Sequence, residues 1–523
     1  MDVAHVLIAG EWRKASGQKT FHAENPATGE PLPLSFPISE WPDCEIALAA
    51  ATDAAMELRR LGPDPIAVFL ETYARNIEAA APEIIQAAHE ETALPVSPRL
   101  RDVELPRTVN QLQQAAAAAR EETWKRPTLD LKLNIRSCLA PLGPVLIFGP
   151  NNFPFAFNGV SGGDFAAAIA AGNPVIAKAH PLHPNTSRLL AEQARKALEE
   201  TGLPMATVQM IYHVSNEDGL RLVGDARLGA IGFTGSRTAG MLLKSAAETV
   251  GNPIYLEMSS INPVILLPGA LAERGEQLAK ELTDSCQAGA GQFCTSPNLI
   301  LLIKGDETEV LLHQFAKALR ERPLQPLLSS GVCKQLSEVV NALRDAGAQL
   351  VVGGELVVGP GYRYTNTLLR ATAQQFISSP HALQREIFGN ATMALVANDP
   401  AELLRTIQLL EGNLTGSIYT AKSGSDDAVY NEIAPVLRNR VGRLLNDKMP
   451  TGVAVSPAMN HGGPFPATSH PGFTAVGIPP SITRFAALEC YDGVRQERLP
   501  SVLQDANPNT AMWRYIDGAW VRG

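Results

Sequence analysis

Two kinds of hydrophobic periodicity divide the chain. Between residues 44 and 123, apolar positions recur three and four apart in an Ala-, Glu- and Leu-rich background. This predicts helices near 44–60, 64–93 and 100–122. Over 128–138 the pattern becomes alternation, with Leu129, Leu131, Leu133 and Ile135 on one side. That predicts one half-exposed strand, suited to pairing with a partner subunit. From 144 onward, short continuous apolar runs alternate with helical ones. Strands are expected at 144–149, 174–178, 207–212 and 229–233, with helices at 162–171, 185–201, 216–224 and from 237 to about 249. Strand–helix alternation of this kind builds a parallel, doubly wound sheet, whose ligands bind beyond the C-terminal ends of the strands. The turn residues Asn152, Lys178, Gly235 and Ser236 all fall there.

A second α/β unit follows Glu257, with strands expected at 263–267, 299–303 and near 393–396, and helices near 271–289, 307–319, 334–346 and 400–411. Beyond 448 the periodicity stops in a Gly-, Pro- and His-rich stretch, His461-Gly462-Gly463-Pro464-Phe465-Pro466-Ala467-Thr468. A loop of turn formers commonly covers an active site. Short hairpins are expected at 6–13 and 515–521, where the two ends of the chain repeat an apolar-x-Gly-x-Trp phrase.

Composition narrows the function classes. Of the 523 residues, 45% are hydrophobic and 19% charged, as expected for a globular protein of two or three domains. The net charge is −9 and no Lys/Arg cluster stands out, so nucleic-acid binding has no support. Six scattered cysteines without C-x-x-C spacing indicate neither a metal site nor a disulfide framework. The N-terminus lacks the layout of a signal peptide, and no apolar run approaches the ~20 residues of a membrane span. A reducing, cytoplasmic location is expected.

The chemistry centres on two stretches. Glu257 sits between Leu256 and Met258, where an unpaired carboxylate is costly. Cys294 lies 37 residues later (294 − 257), in the Gly-rich turn Gly289-Ala290-Gly291-Gln292-Phe293-Cys294. The pair suggests a thiol nucleophile and a base that activates water. Thr234-Gly235-Ser236 opens a helix, so its N–H groups can hold a pyrophosphate or simply cap the helix.

With the turn Pro150-Asn151-Asn152-Phe153-Pro154, Lys178 at a strand end, Phe233-Thr234-Gly235-Ser236 with Gly240, Glu257, Gly291-Gln292-Phe293-Cys294 and Glu386-Ile387-Phe388-Gly389 in that order, the sequence resembles the aldehyde dehydrogenase superfamily over nearly its whole length. The Asn152–Phe157 stretch and the His461–Thr468 loop resemble the branch of ketoglutarate-semialdehyde (2,5-dioxopentanoate) dehydrogenases and NADP-dependent fatty aldehyde dehydrogenases. The resemblance implies a fold of two doubly wound α/β domains plus a β oligomerisation arm. It divides the chain into a cofactor-binding domain (1–125 and 141–257), a catalytic domain (258–480) and oligomerisation segments (126–140 and 481–523), assembled as a homodimer or homotetramer.

The resemblance also implies the roles. Cys294 attacks the aldehyde, Asn152 and the Cys294 N–H hold the oxyanion, and Glu257 activates water to hydrolyse the thioester. Lys178, Gly235, Ser236, Glu386 and Phe388 bind a dinucleotide. Phe157, His461 and Phe465 belong to the substrate tunnel and its covering loop. Two departures stand out. Ser259-Ser260 replaces the usual Gly-Gly after Glu257, and Pro181 replaces the usual acid three residues after the lysine. Without that acid a 2′-phosphate is not repelled, and His180 and His213 can attract it, so NADP is favoured with NAD still usable. The expected substrate is 2,5-dioxopentanoate; the alternative is a medium or long aliphatic aldehyde. Glu257 argues against a CoA-acylating enzyme, which has no need of a water-activating acid.

Overall fold

The computed structural model describes residues 3–507 and 509–522. Two seven-stranded sheets carry the molecule. In the first the order is Ile254–Glu257, Ala230–Thr234, Val145–Phe148, Val175–Lys178, Val208–Ile211, Val6–Ile8 and Glu11–Arg13. The first five are parallel, and the N-terminal hairpin adds to them antiparallel through Leu7 opposite Met210. In the second the order is Gln349–Val352, Thr367–Thr372, Ala391–Ala397, Leu299–Ile303, Val264–Leu266, Asn413–Tyr419 and Val441–Asn446, parallel except for its first strand.

The apolar runs became central strands because both sheet faces are covered. Leu146, Ile176, Ile265 and Ile300 are wholly buried, each contributing about 1.5–3 kcal/mol over an exposed side chain. A five-stranded sheet stands apart, ordered Ala486–Asp492, Ile135–Pro141, Thr128–Asp130, Trp513–Ile516 and Ala519–Arg522. Leu488 and Trp520 on it are exposed. Arg484 and Asp164, paired at 2.6 Å, fasten the approach to this sheet onto the first unit.

Three expectations need correction. The helix expected over 64–93 is two, Pro63–Ala79 and Ala81–Thr92, because Pro82 supplies no amide to continue the first. The alternating stretch 128–138 is a hairpin rather than one strand. Leu131 and Leu133 lie exposed in its turn, which Asn134 closes at a φ of 52°. The third helical segment opens with a wide π-type turn over Val96–Glu104 before Leu105–Glu121 continues as α-helix. Sequence patterning also missed Asn413–Tyr419 and Val441–Asn446, whose buried or half-buried Asn413, Thr415 and Arg443 interrupt the apolar run. Residues 449–479 contain no helix or strand.

Candidate active site

The strand ends of the two sheets meet at one place. Glu257 ends an edge strand of the first sheet and is almost wholly buried. Cys294 follows the helix Pro268–Gln287 and precedes the strand Leu299–Ile303 of the second. Its turn is built from Gly289, Ala290 and Gly291, all left-handed, with φ of 57°, 56° and 69°. At Gly291 a Cβ would lie 2.0 Å from the Gly389 carbonyl oxygen, so only glycine lets these loops touch.

The aperiodic C-terminal loop is held on the sheets by backbone. The Met258 N–H donates to the Ala467 carbonyl at 2.8 Å, and the Gly412 N–H to that of Phe465 at 3.2 Å. His461 is fixed at its own N–H, which donates to Thr474 Oγ1 at 3.0 Å, and by the Ala475 N–H donating to its carbonyl at 2.9 Å. The result is a buried histidine rather than a solvated one. Its Nε2 lies 3.4 Å from Cys294 Sγ and 3.1 Å from Glu257 Oε1. Donor atoms of Cys294, Glu257 and His461 all fall within 4.8 Å of one another. Glu257 Oε2 is buried without a hydrogen-bond partner.

Asn152 is buried with one amide hydrogen occupied, Nδ2 donating to the Gln292 carbonyl at 2.8 Å. Its second hydrogen is free, as is the Cys294 N–H, which has no partner among the described residues. Two donors therefore remain on and against the turn that carries the sulfur. Burial, and then the neighbouring Glu257, push the Cys294 thiol well above its ordinary range, while Arg107 pulls it back. This favours the thiol over the thiolate. It needs a base, and His461 is in position.

Lys178 ends its strand half-buried, and among the described residues it has no ion-pair partner. Burial pushes its ammonium down to about 8. Ser236 caps the helix Arg237–Glu248, accepting from the Ala239 N–H at 3.3 Å, and the Gly235 N–H donates to the Glu257 carbonyl at 3.1 Å. Glu386 is half-buried beside the two serines that departed from the family pattern. The Ser260 N–H approaches its Oε1 at 3.4 Å and the Ser259 hydroxyl bonds to it. Burial pushes Glu386 up to about 7. Phe388 packs partly buried against the second sheet's core. A cleft of about 630 Å³ runs past Arg237, Ser259, Glu386 and Glu411.

His180 requires a corrected rationale. Burial, with His183 beside it, holds it well below its ordinary pKa, so it offers a hydrogen bond and not a positive charge. Its ring stacks on His183 at 5.3 Å, and His183 Nε2 donates to the Pro150 carbonyl at 2.9 Å, tying the loop of Lys178 and Pro181 to the Asn152 turn. His213 is likewise pushed down by burial, and its Nδ1 is buried without a partner.

Phe157 is buried, its ring 5.8 Å from that of His461. Phe465 is not beside it. It is 56% exposed and lies under the guanidinium of Arg237 at 5.5 Å, because the backbone bonds flanking it turn the side chain outward. The wall beside Phe157 contains residues that the sequence did not single out. Arg99 pairs with the buried Glu104 and donates to the Asn152 carbonyl at 3.1 Å. Glu104 also accepts from the Phe155 and Ala156 N–H groups at 2.9 and 3.1 Å, and so sets the Asn152 turn. Arg107 lies 5.2 Å from the Phe157 ring. In sequence these are ordinary charges on a helix, and spacing pairs Glu104 with Arg107, three residues on, rather than with Arg99.

The profile of the Aldehyde dehydrogenase family matches residues 12–458. The chain is 37% identical to alpha-ketoglutaric semialdehyde dehydrogenase 2 of Azospirillum brasilense, over 99% of both chains. It is 34% identical to an alpha-ketoglutaric semialdehyde dehydrogenase of Acinetobacter baylyi, over 95% of each. Its fold is like that of an aldehyde dehydrogenase from Bacillus cereus solved as its NAD+ complex, with a TM-score of 0.81 and 20% identity over 94% of this chain and 96% of that one. A chain matched over this length, with a thiol, an acid and an amide converging between two doubly wound sheets, belongs to the aldehyde dehydrogenase family.

Proposed function

We propose that this enzyme oxidises 2,5-dioxopentanoate, the semialdehyde of 2-oxoglutarate, to 2-oxoglutarate, with NADP preferred over NAD. The observation that carries the chemistry is the cluster of Cys294, His461 and Glu257 beside the free Asn152 hydrogen. The substrate rests on full-length similarity to the two semialdehyde dehydrogenases above.

His461 Nε2, with its hydrogen on Nδ1, takes the proton of Cys294. The imidazolium then donates from that same nitrogen to Glu257 Oε1. The thiolate attacks the aldehyde carbon, giving a thiohemiacetal whose oxyanion is held by Asn152 and the Cys294 N–H, about 3–4 kcal/mol for one well-placed donor. A bound dinucleotide would supply the acceptor for the hydride that leaves this carbon, and Cys294 then carries a thioester. Glu257, with Oε2 unpartnered, deprotonates the water that attacks this thioester. The acid leaves, and the sulfur regains its proton from His461.

Lys178, the helix start at Gly235 and Ser236, and Glu386 with Phe388 would hold the dinucleotide. An unpaired ammonium, exposed helix N–H groups and a tethered carboxylate fit one. Pro181 in place of an acid, with Lys178 unpaired, supports NADP. His180 and His213 add neutral donors. Residues 1–125 and 141–257 form the cofactor-binding domain, 258–480 the catalytic domain, and 126–140 with 481–523 the arm through which a homodimer or homotetramer forms. Among the described residues no helix is long and apolar enough to cross a membrane, and we place the enzyme in the cytoplasm.

The test is kcat/KM for 2,5-dioxopentanoate and hexanal with each dinucleotide. Phe153, Phe157 and Phe293, whose rings pack 5.1–5.2 Å apart, would also suit an aliphatic chain. Faster hexanal turnover would replace the substrate, and faster turnover with NAD would replace the cofactor preference.

A further inference from the structure

Three buried or half-buried arginines around the site engage their cationic ends within the chain. Arg99 is paired with Glu104. Arg484 is paired with Asp164. Arg443 donates to the Gly452 and Pro450 carbonyls at 3.2 and 2.8 Å. Arg107 differs. Its Nη2 is buried with no partner, as is one nitrogen each of Arg99, Arg443 and Arg484, but among the described residues its guanidinium meets no carboxylate or backbone carbonyl at all, only Gln111 Oε1, to which Nε donates at 3.3 Å. Glu104, one turn away, is already taken by Arg99 and two amides. A buried guanidinium left this way is costly unless something else neutralises it.

Its position says what that is. Arg107 lies 5.2 Å from the Phe157 ring, that ring is 5.8 Å from His461, and His461 Nε2 is 3.4 Å from Cys294 Sγ. Two rings, Phe157 and His461, thus link the guanidinium to the reacting sulfur. Burial pushes Arg107 below its ordinary pKa, and the Glu104 carboxylate opposes that. Gln111 orients it and is itself fixed, Nε2 donating to the Ala156 carbonyl at 3.1 Å.

We infer that Arg107 is the specificity-determining residue that binds the carboxylate of an aldehyde carrying an acid at its far end, an inference that rests on the proposed substrate class. In 2,5-dioxopentanoate four carbon–carbon bonds separate the aldehyde carbon from the carboxylate carbon, so one end can meet Cys294 while the other meets a planar donor fork.

The test compares each acid-bearing aldehyde with a neutral one of the same length. For wild type, Arg107→Lys, Arg107→Gln and Arg107→Met, kcat/KM is measured for 2,5-dioxopentanoate, 5-oxopentanoate and pentanal. The ratio of acid-bearing to neutral substrate cancels any common effect on the thiol. It should fall on the order of 10²–10³-fold in Arg107→Met and Arg107→Gln, with partial recovery in Arg107→Lys. In parallel, 2-oxoglutarate should protect Cys294 of the wild type, but not of Arg107→Gln, from iodoacetamide. A ratio that stays within about threefold overturns the inference, even if all rates drop together. So does a wild type that prefers no acid-bearing aldehyde over pentanal, a result needing no variant. If only 5-oxopentanoate is preferred and that preference collapses in the variants, the specific substrate is wrong and Arg107's role stands.

Discussion

The two sides of Cys294 treat buried charge in opposite ways. On the side of the 630 Å³ cleft the buried charge is an acid. Glu386 is held by Ser259 and Ser260 and pushed up to about 7, so near neutrality it is partly protonated and a weak source of repulsion for a polyanion. On the side of Phe157 two cations stand around one buried acid, Glu104. Arg99 is matched by Glu104 and Arg107 is not. A charge that the chain satisfies itself sets geometry; one left open is a demand on a ligand. The contrast separates residues that shape the walls from those that meet what enters.

Cys294 stands between the two, and removing it should have the largest effect. Cys294→Ser is expected to lower turnover by roughly 10⁴-fold or more while dinucleotide binding, read by calorimetry, is retained. More than a tenth of wild-type activity would break the assignment. Next is Glu257→Gln. Loss of the proposed deacylation base should slow steady-state turnover on the order of 10²–10⁴-fold, leaving a burst of one reduced dinucleotide per site and an acyl adduct on Cys294 visible by mass. In the cofactor-free protein the same change lowers the thiol pKa, because Glu257 is among its raising causes. Alkylation at a fixed pH should therefore quicken, and a slower reaction would show that the carboxylate assists ionisation.

Glu386 sharpens the comparison through stability. Its folded pKa of about 7 lies above the ordinary 4.5, so between those values the folded protein keeps a proton that the unfolded chain releases. The group's contribution falls as pH rises through that interval and is level above it. Glu386→Gln removes the slope, so Tm relative to wild type should climb with pH across it; a constant difference would mean the acid is ionised throughout. Ser259→Gly should be smallest, a rise of roughly 2–10-fold in KM for the dinucleotide with kcat for bound cofactor little changed. No rise would leave the hydroxyl without a part in holding Glu386.

Legibility in the sequence followed the range over which each feature is determined. Val145–Phe148 and Val175–Lys178 were readable as continuous apolar runs because burial on both faces demands them. Leu131 and Leu133 misled because alternation cannot distinguish a strand from a turn with exposed leucines. Pro82 was a local signal outweighed by long helical periodicity. Glu257 and Cys294 could be paired from motifs, but the contact of Glu257 with His461 is made across 204 positions (461 − 257) by a loop without period. Arg107 was invisible. It sits one helical turn from a glutamate that in sequence is its natural partner, and only the fold shows that glutamate committed to Arg99 and the Asn152 turn.

The contact between Gly291 and Gly389 leaves no room for even a methyl group. The turn that presents the sulfur and the loop that carries Glu386 are thus joined like a bearing and its race, and neither can be displaced without carrying the other along. The spacing of these two loops is therefore set by backbone thickness and is indifferent to side-chain rotamers.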